Sequence, residues 1–229
     1  MASALVTGGS SGIGLAIARV LRDEGFALTL AARTAEKLEL AAGELGAAAV
    51  IANVADADDC ERVVAEHVSL HGGLDVLVNS AGVGAIGGID EQDLKRIDRQ
   101  LDVNLRGLIL VTRAALPHVR ATRGLIVNIA SIAGTAPVGK LPVYGATKAA
   151  VISLTHSLNQ ELEDHGVRVH ALCPEFVDTP MAAWTGLTSD ELIRPEDCAE
   201  VVRMLLRLSP QARVPVVVIE RVATTNRVA

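Results

Sequence analysis

Ala4-Leu5-Val6-Thr7 runs without a break into Gly8-Gly9-Ser10-Ser11-Gly12-Ile13-Gly14, after which Leu15, Ile17, Ala18 and Leu21 recur at helical spacing as far as Gly25. A short apolar strand that turns through glycines directly into a helix leaves few folds open. The turn must be tight, and its backbone must come close to whatever it faces. The free N–H groups of the helix start then present the positive end of the dipole to that neighbour. At the first strand-to-helix turn of an α/β sheet this is how the pyrophosphate of a dinucleotide is held. The spacing is not that of a P-loop, since no Lys-Ser/Thr pair follows the glycines.

The rest of the chain repeats the alternation. Apolar runs over 26–32, 48–52, 74–78, 125–130, 167–172 and 214–219 read as further strands. Helical patterns fill the gaps: from about Thr34, from an Asp56 N-cap to about His71, from about Asp90 to Val119, from Pro142 to about 165–166, and from Pro195 to about Leu208. Half of the 229 residues are hydrophobic, which suits strands buried on both faces. The expected fold is α/β: a Rossmann-like, doubly wound parallel sheet of about seven strands with helices on both faces. Neither a repeat nor a linker divides it, so residues 1–229 are read as a single domain. The residues from about Ala223 are expected to fray.

The net charge of −6 and the absence of a Lys/Arg run argue against nucleic acid as a partner. No apolar run approaches the ~18 residues of a membrane span, and the N-terminus lacks the charged and apolar regions of a signal peptide. Cys60, Cys173 and Cys198 are far apart and form no CxxC, as in a reduced, cytoplasmic protein. His67 and His71 have an i, i+4 spacing but no evident third ligand, so no metal is expected.

Ligands of such sheets sit at the C-terminal ends of the strands. The glycine loop, Arg33, Asn79 to Gly82, Ser131 and the segment from Pro174 all fall there. In Tyr144-Gly145-Ala146-Thr147-Lys148 the chain's only tyrosine stands four residues before a lysine, one helical turn away on the same face. The ammonium is expected to lower the phenol's pKa from its usual value near 10 toward the working pH.

With these residues in view, the chain closely resembles the short-chain dehydrogenase/reductase family in its compact form, over roughly residues 2–219. Residues 7–14 match the TGxxxGxG cofactor loop, and Asn79-Ser80-Ala81-Gly82 is similar to the NNAG segment that supports the sheet and borders the cofactor. Asn104 matches the asparagine that holds a water of the proton relay, and Ser131, Tyr144 and Lys148 match the catalytic triplet in order and spacing. The resemblance implies that Tyr144 exchanges a proton with a carbonyl or alcohol oxygen, Ser131 hydrogen-bonds that oxygen, and Lys148 holds the nicotinamide ribose. It implies cofactor contacts from Gly8, Ser10, Ser11, Gly12, Ile13, Gly14, Arg33, Thr34, Asn53, Val54, Asn79, Ala81, Gly82, Tyr144, Lys148, Pro174, Val177 and Thr179. Ala32 stands where an NAD enzyme usually has an acid, and Arg33 follows it, so NADP(H) is expected over NAD(H).

The chain departs from the family pattern in places. Glu175 replaces the glycine of the Pro-Gly-x-Val-x-Thr segment; it is expected to point to solvent, or else to lie at the pocket mouth and disfavour anionic substrates. Residues 180–194 form a short expected substrate lid, with Met181, Trp184 and Leu187 as its apolar members. The glycine-rich ending of many relatives is missing, while association through the helices from Asp90 and Pro142 into a homodimer or homotetramer is expected by analogy. The functions in view are a carbonyl reductase or alcohol dehydrogenase acting on a small-to-medium, fairly apolar molecule, a 3-oxoacyl thioester reductase, a non-catalytic NADP-binding sensor or scaffold, and a nucleotide-sugar epimerase or dehydratase. The last would want a larger C-terminal region than this chain has.

Overall fold

The structure is a computed structural model describing residues 1–222; the tail from Ala223 lies outside the described residues. Its strands are β1 (Ser3–Thr7), β2 (Ala27–Ala32), β3 (Ala48–Ile51), β4 (Val76–Asn79), β5 (Leu125–Ile129), β6 (Arg168–Pro174) and β7 (Val216–Ile219). They form one sheet in the order β3-β2-β1-β4-β5-β6-β7, with every neighbouring pair parallel. The chain winds outward from β1 to β3, returns to the other side of β1, and winds the opposite way from β4.

Parallel neighbours need long crossovers. These are α1 (Gly12–Asp23), α2 (Ala35–Leu45), α3 (Ala57–His71), α4 (Leu94–Leu101), α5 (Leu108–Thr122), α6 (Pro142–Glu161) and α7 (Pro195–Arg207). Strand side chains alternate between the two helical layers. Ala4, Val6, Val76, Val78, Leu125 and Val127 pack with Ile17 and Leu21 of α1, Leu38 of α2 and Val202 and Leu205 of α7. Leu5, Leu77 and Ile126 face the other way, onto Val63 of α3, Val111 and Ala115 of α5 and Leu158 of α6. The first layer is closed at its rim by charge: Arg203 and Arg207 of α7 reach Glu24, just after α1, at 2.5 and 2.9 Å.

One stretch departs from the expected pattern. The helix anticipated from Asp90 to Val119 begins instead at Leu94, because the Asp93 carboxylate accepts the Arg96 N–H at 2.8 Å and caps it there. Ile89–Glu91 is a separate 3₁₀ turn, closed by the Glu91 side chain on Gly88 N–H. Between α4 and α5 the backbone widens into a π-helix over Asp102–Gly107, a geometry that recurs at functional sites. Asp56 caps α3 as anticipated, accepting from the N–H groups of Asp58 and Asp59.

His67 and His71 serve packing. His67 is fully buried under the sheet. Its Nδ1 lies 2.9 Å from Thr29 Oγ1 and its Nε2 3.2 Å from Ser3 Oγ. Thr29 Oγ1 is also 3.1 Å from His71 Nε2, and the Ser3 hydroxyl donates to the Gly73 carbonyl at 2.8 Å. One proton assignment satisfies the whole chain: His71 Nε2–H to Thr29, Thr29 to His67 Nδ1, His67 Nε2–H to Ser3, Ser3 to Gly73. It requires a neutral His67. Among the described residues no group of three or more His, Cys, Asp or Glu could hold a metal. The three cysteines are free and buried, and no helix is long and apolar enough to cross a membrane among the described residues.

Burial, with the neighbouring His71, pushes the His67 pKa down to about 4 from 6.5. A basic group whose pKa is depressed on folding contributes its full stability above the unfolded value, and that contribution is lost as pH falls from about 6.5 toward 4. Denaturant unfolding should therefore show about 2 kcal/mol less stability at pH 5 than at pH 7.5 from this group alone. His67→Gln should be less stable at pH 7.5 and lose less on acidification; equal losses would remove His67 from the account.

Candidate active site

The strand order places the switch point between β1 and β4, and one cleft of about 480 Å³ opens there at the C-terminal ends of the strands. Backbone contacts build its floor. A Cβ on Gly14 would lie 2.4 Å from the Gly8 carbonyl oxygen, and one on Gly8 would lie 2.8 Å from Ala81 N, with φ at +68°. Only glycine permits both approaches, so the first turn of α1 sits directly over the end of β1 and beside the turn after β4. Ser11 occupies the N-cap of α1 but its side chain makes no capping bond, leaving the helix's first N–H groups facing the cleft.

Most residues expected at the site do line this cleft: Gly8, Ser10, Ser11, Gly12, Ile13, Gly14, Arg33, Thr34, Asn53, Val54, Ala81, Gly82, Ser131, Tyr144, Lys148, Pro174, Val177 and Thr179. Asn79, expected to touch the cofactor, is not among the lining residues. Two residues on from Leu77, its side chain points to the same layer, and its Nδ2 donates to Thr112 Oγ1 at 3.0 Å and Asn128 Oδ1 at 2.9 Å. It ties β4 to β5 and α5; the turn of Ser80 to Gly82 supplies the lining.

Asn104 lies beneath the cleft, buried in the π-helical turn. Its carboxamide grips the loop after β4 from both ends, Oδ1 accepting from Val83 N and Nδ2 donating to Val83 O, each at 2.8 Å. Nδ2 also reaches Thr147 Oγ1 on α6 at 3.2 Å. A Cβ on Gly82 would sit 3.5 Å from Asn104 Oδ1 and 3.7 Å from Lys148 Nζ. The asparagine thus fixes the β4 loop against the helix that carries Tyr144 and Lys148.

Lys148 is buried, and its Nζ donates to the Ile129 carbonyl at 2.7 Å and lies 5.6 Å from the centre of the Tyr144 ring. Burial pulls its pKa down to about 8 from 10.5. The lowering of the Tyr144 pKa expected from Lys148 is opposed by burial. Burial raises the phenol's pKa, and the hydroxyl of Ser131 acts in the lowering sense without overcoming it. Ser131 follows β5 and caps the 3₁₀ turn Ile132–Gly134, its Oγ accepting from Ala133 N at 3.2 Å.

At the far end of the cleft, Arg33 and Thr34 follow β2 and are joined by Lys37, which lines the same wall. Lys37 was not anticipated, although it stands four residues after Arg33, one turn along the start of α2. Arg33 and Lys37 are exposed and have no ion-pair partner among the described residues. At the opposite end Ile86, Val138, Leu141, Phe176, Met181 and Trp184 form an apolar mouth. Leu187 is not part of it. Glu175 neither points free to solvent nor stands alone at the mouth. Its carboxylate accepts Arg221 N–H at 2.9 Å and meets the Arg221 guanidinium at 3.3 Å, too distant in sequence to be anticipated.

Comparisons agree with this architecture. A sequence profile of the short chain dehydrogenase family matches residues 2–189. An uncharacterized oxidoreductase of Staphylococcus epidermidis is 36% identical over 205 residues, covering 87% of this chain and 88% of that protein. One from Staphylococcus aureus is 36% identical over 203 residues with the same coverage. Among solved structures, an alcohol dehydrogenase from the archaeon Thermococcus sibiricus, complexed with 5-hydroxy-NADP, superposes with a TM-score of 0.91, 31% identity and 99% of each chain covered. A metagenomic short-chain oxidoreductase in complex with NADP gives a TM-score of 0.84 at 33% identity over 96% of each chain.

The glycine contacts give a direct test of how the floor is built. In Gly14→Ala the new methyl meets the Gly8 carbonyl, so the backbone must shift. Thermal and urea unfolding should show a loss of about 1–3 kcal/mol; a variant as stable as the parent would mean that the floor yields freely.

Proposed function

The chain belongs to the short chain dehydrogenase family, and on that premise we propose that it is an NADP(H)-dependent oxidoreductase interconverting a fairly apolar carbonyl compound and its secondary alcohol. The observation that carries the reading is convergence. A glycine-built anion cradle, the cations Arg33 and Lys37 and the group Ser131, Tyr144 and Lys148, drawn from separate parts of the sequence, face one cleft.

The cleft fits a dinucleotide phosphate on its own features. The first turn of α1 offers uncapped N–H groups to a pyrophosphate, and the close contacts at Gly8 and Gly14 bring the backbone near it. Arg33, Lys37 and the Thr34 hydroxyl suit a 2′-phosphate, with Ala32 in place of the acid that would repel it. The NADP compounds held by the two solved relatives support the same choice. Residues 1–229 serve as one nucleotide-binding domain, and 180–194 as the lid over the apolar mouth.

When bound, the nicotinamide supplies or accepts the hydride. An ordinary phenol is protonated at neutral pH and burial raises its pKa further, so in the reduction direction Tyr144 carries the proton that the carbonyl oxygen takes. Ser131, held beside it by its contact with Ala133 N, donates a hydrogen bond to the same oxygen as charge develops there. Lys148 spends one proton on Ile129 O, which orients the ammonium; its remaining protons serve the ribose hydroxyls and its charge eases loss of the tyrosine proton. Asn104 keeps the loop after β4 and α6 in register with one another. At the mouth Glu175 is already matched by Arg221, so among the described residues it is not a free charge for a substrate.

Oxidation of NADPH and NADH followed at 340 nm against a panel of ketones and aldehydes tests the proposal. Tyr144→Phe should lower kcat/KM by about 100-fold or more, the contribution typical of a general acid, while binding NADPH as the parent does. Turnover that survives in this variant would rule out the tyrosine's role. Because the Lys148 ammonium is lost as pH rises through about 8, kcat/KM for reduction should fall above that pH; a flat profile from 7 to 9.5 would speak against the lysine's part.

Cofactor choice is tested separately. Arg33→Ala and Lys37→Ala should each weaken NADPH binding by about tenfold, roughly 1.4 kcal/mol, and leave NADH binding nearly unaltered. A parent enzyme that prefers NADH would overturn the assignment of both cations.

A further inference from the structure

Arg221 has no part in the chemistry just described, yet it makes more directed contacts than a surface arginine needs. It stands two residues past the end of β7. Its backbone N–H donates to Glu175 Oε2 at 2.9 Å, its Nε meets Glu175 Oε1 at 3.3 Å, and its Nη1 donates to the Glu191 carbonyl at 3.1 Å. Its guanidinium carbon lies 5.5 Å from the centre of the Phe176 ring. Phe176 in turn meets the Trp184 ring edge-on, at 5.7 Å between centres and 87° between planes. The arginine thereby joins the loop after β6, the far end of the lid and the segment after the last strand, and through Phe176 it reaches Trp184.

We propose that the Glu175–Arg221 pair is a clamp that positions an aromatic wall, Phe176 and Trp184, at the mouth of the cleft, and so selects carbonyl substrates that present a bulky apolar group to that wall. The inference rests on the reading of the cleft given above. It also assigns Glu175, whose place in the family pattern belongs to glycine.

Three features separate positioning from simple stability. Both aromatic rings line the cleft, whereas Arg221 does not. The backbone around Phe176 is held independently of the arginine, by Ile193 N–H on Phe176 O at 3.0 Å and Asp178 N–H on Ile193 O at 2.8 Å. What Arg221 adds is therefore the orientation of a ring and the docking of the lid's far end. Trp184 is 42% exposed, so its packing depends on few neighbours, and the edge contact with Phe176 is prominent among them. The pair is also charge-matched and mostly shielded, with side-chain exposures of 19% for Arg221 and 22% for Glu175. A shielded arginine over an aromatic face is favourable through both its charge and its flat shape.

Trp184 is the chain's only tryptophan, so its fluorescence reports this wall and nothing else. The experiment compares the full-length parent with Arg221→Ala, Arg221→Lys and Glu175→Gln, using emission, acrylamide quenching, NADPH titration, and the ratio of kcat/KM for a bulky aryl ketone to that for a small aliphatic aldehyde. In Arg221→Ala the emission should shift to the red, acrylamide should reach the indole more readily, and the ratio should fall about tenfold, mainly through KM for the aryl ketone. NADPH affinity should hold. Arg221→Lys retains the charge without the fork and should recover only part of the ratio. Glu175→Gln, which keeps the shape of the acceptor, should move the same readouts in the same direction and serves as the deciding variant if Arg221→Ala does not fold by circular dichroism. Unmoved emission together with an unmoved ratio would overturn the clamp, as would a shift in emission with an unmoved ratio, which would leave it a packing contact. A parent that turns over neither carbonyl while the variants shift Trp184 would overturn the carbonyl reading of the cleft and with it the selection step.

Discussion

The whole arrangement hangs on β1 being paired in parallel on both edges, with β2 on one side and β4 on the other. A parallel neighbour can only be reached by crossing over a face of the sheet. The crossover leaving β1 runs toward β2 and the one leaving its neighbour β4 runs the opposite way toward β5, and the gap between them is the cleft. The rest is a matter of how near the backbone can come to that gap. Gly8 and Gly14 let the turn after β1 press against the turn after β4, so the crevice has a floor of peptide groups where side chains would otherwise stand. Ser131 after β5 and the α6 pair are then delivered to the same rim by the ordinary advance of the chain from strand to strand.

Burial acts on Tyr144 and Lys148 with one cause and opposite signs. Taking a phenolate out of water costs energy, so the phenol keeps its proton; taking an ammonium out of water costs energy, so the lysine gives its proton up more readily. Near pH 7 both remain protonated. The cleft is thus poised with a neutral acid beside a cation, and the Ile129 carbonyl offsets part of the cost of holding that cation in so dry a place. Ser131 is the element that pulls the phenol the other way. The direction in which each pKa moves is a property of the packed cleft, whereas the i, i+4 spacing of the two residues settles only that they share a helix face.

Much of this is legible in the chain. Strands β1, β4 and β5 are short, mostly apolar runs because both of their faces are covered, and the glycines at 8 and 14 mark a turn at which backbone comes close to backbone. Strand alternation could also have placed Asn79: it shares a face with Leu77 and therefore looks toward α5, away from the cleft. Lys37 was readable from its distance to Arg33 along α2. Other features are beyond any local pattern. The π-helical turn at Asp102–Gly107 sits between α4 and α5 where no side-chain cap or proline marks it. The Glu175–Arg221 pair joins positions 46 residues apart and depends on where β7 ends. The rise in the phenol's pKa needs the solvent-excluding shape of the finished cleft.

The packing of α1 against α7 carries a consequence for how the molecule comes into being. The helix that follows the first strand finds its main partner in the last helix, with Glu24 answered by Arg203 and Arg207 some 180 residues later. Until that partner leaves the ribosome, the Ile17 and Leu21 face of α1 has only half its cover. The glycine turn is thus assembled on a helix whose own support is made some 180 residues later. A nascent chain that had reached Arg194 and no further would carry Ser131, Tyr144 and Lys148 and still expose a greasy stripe on α1, the kind of surface that recruits chaperones and proteases.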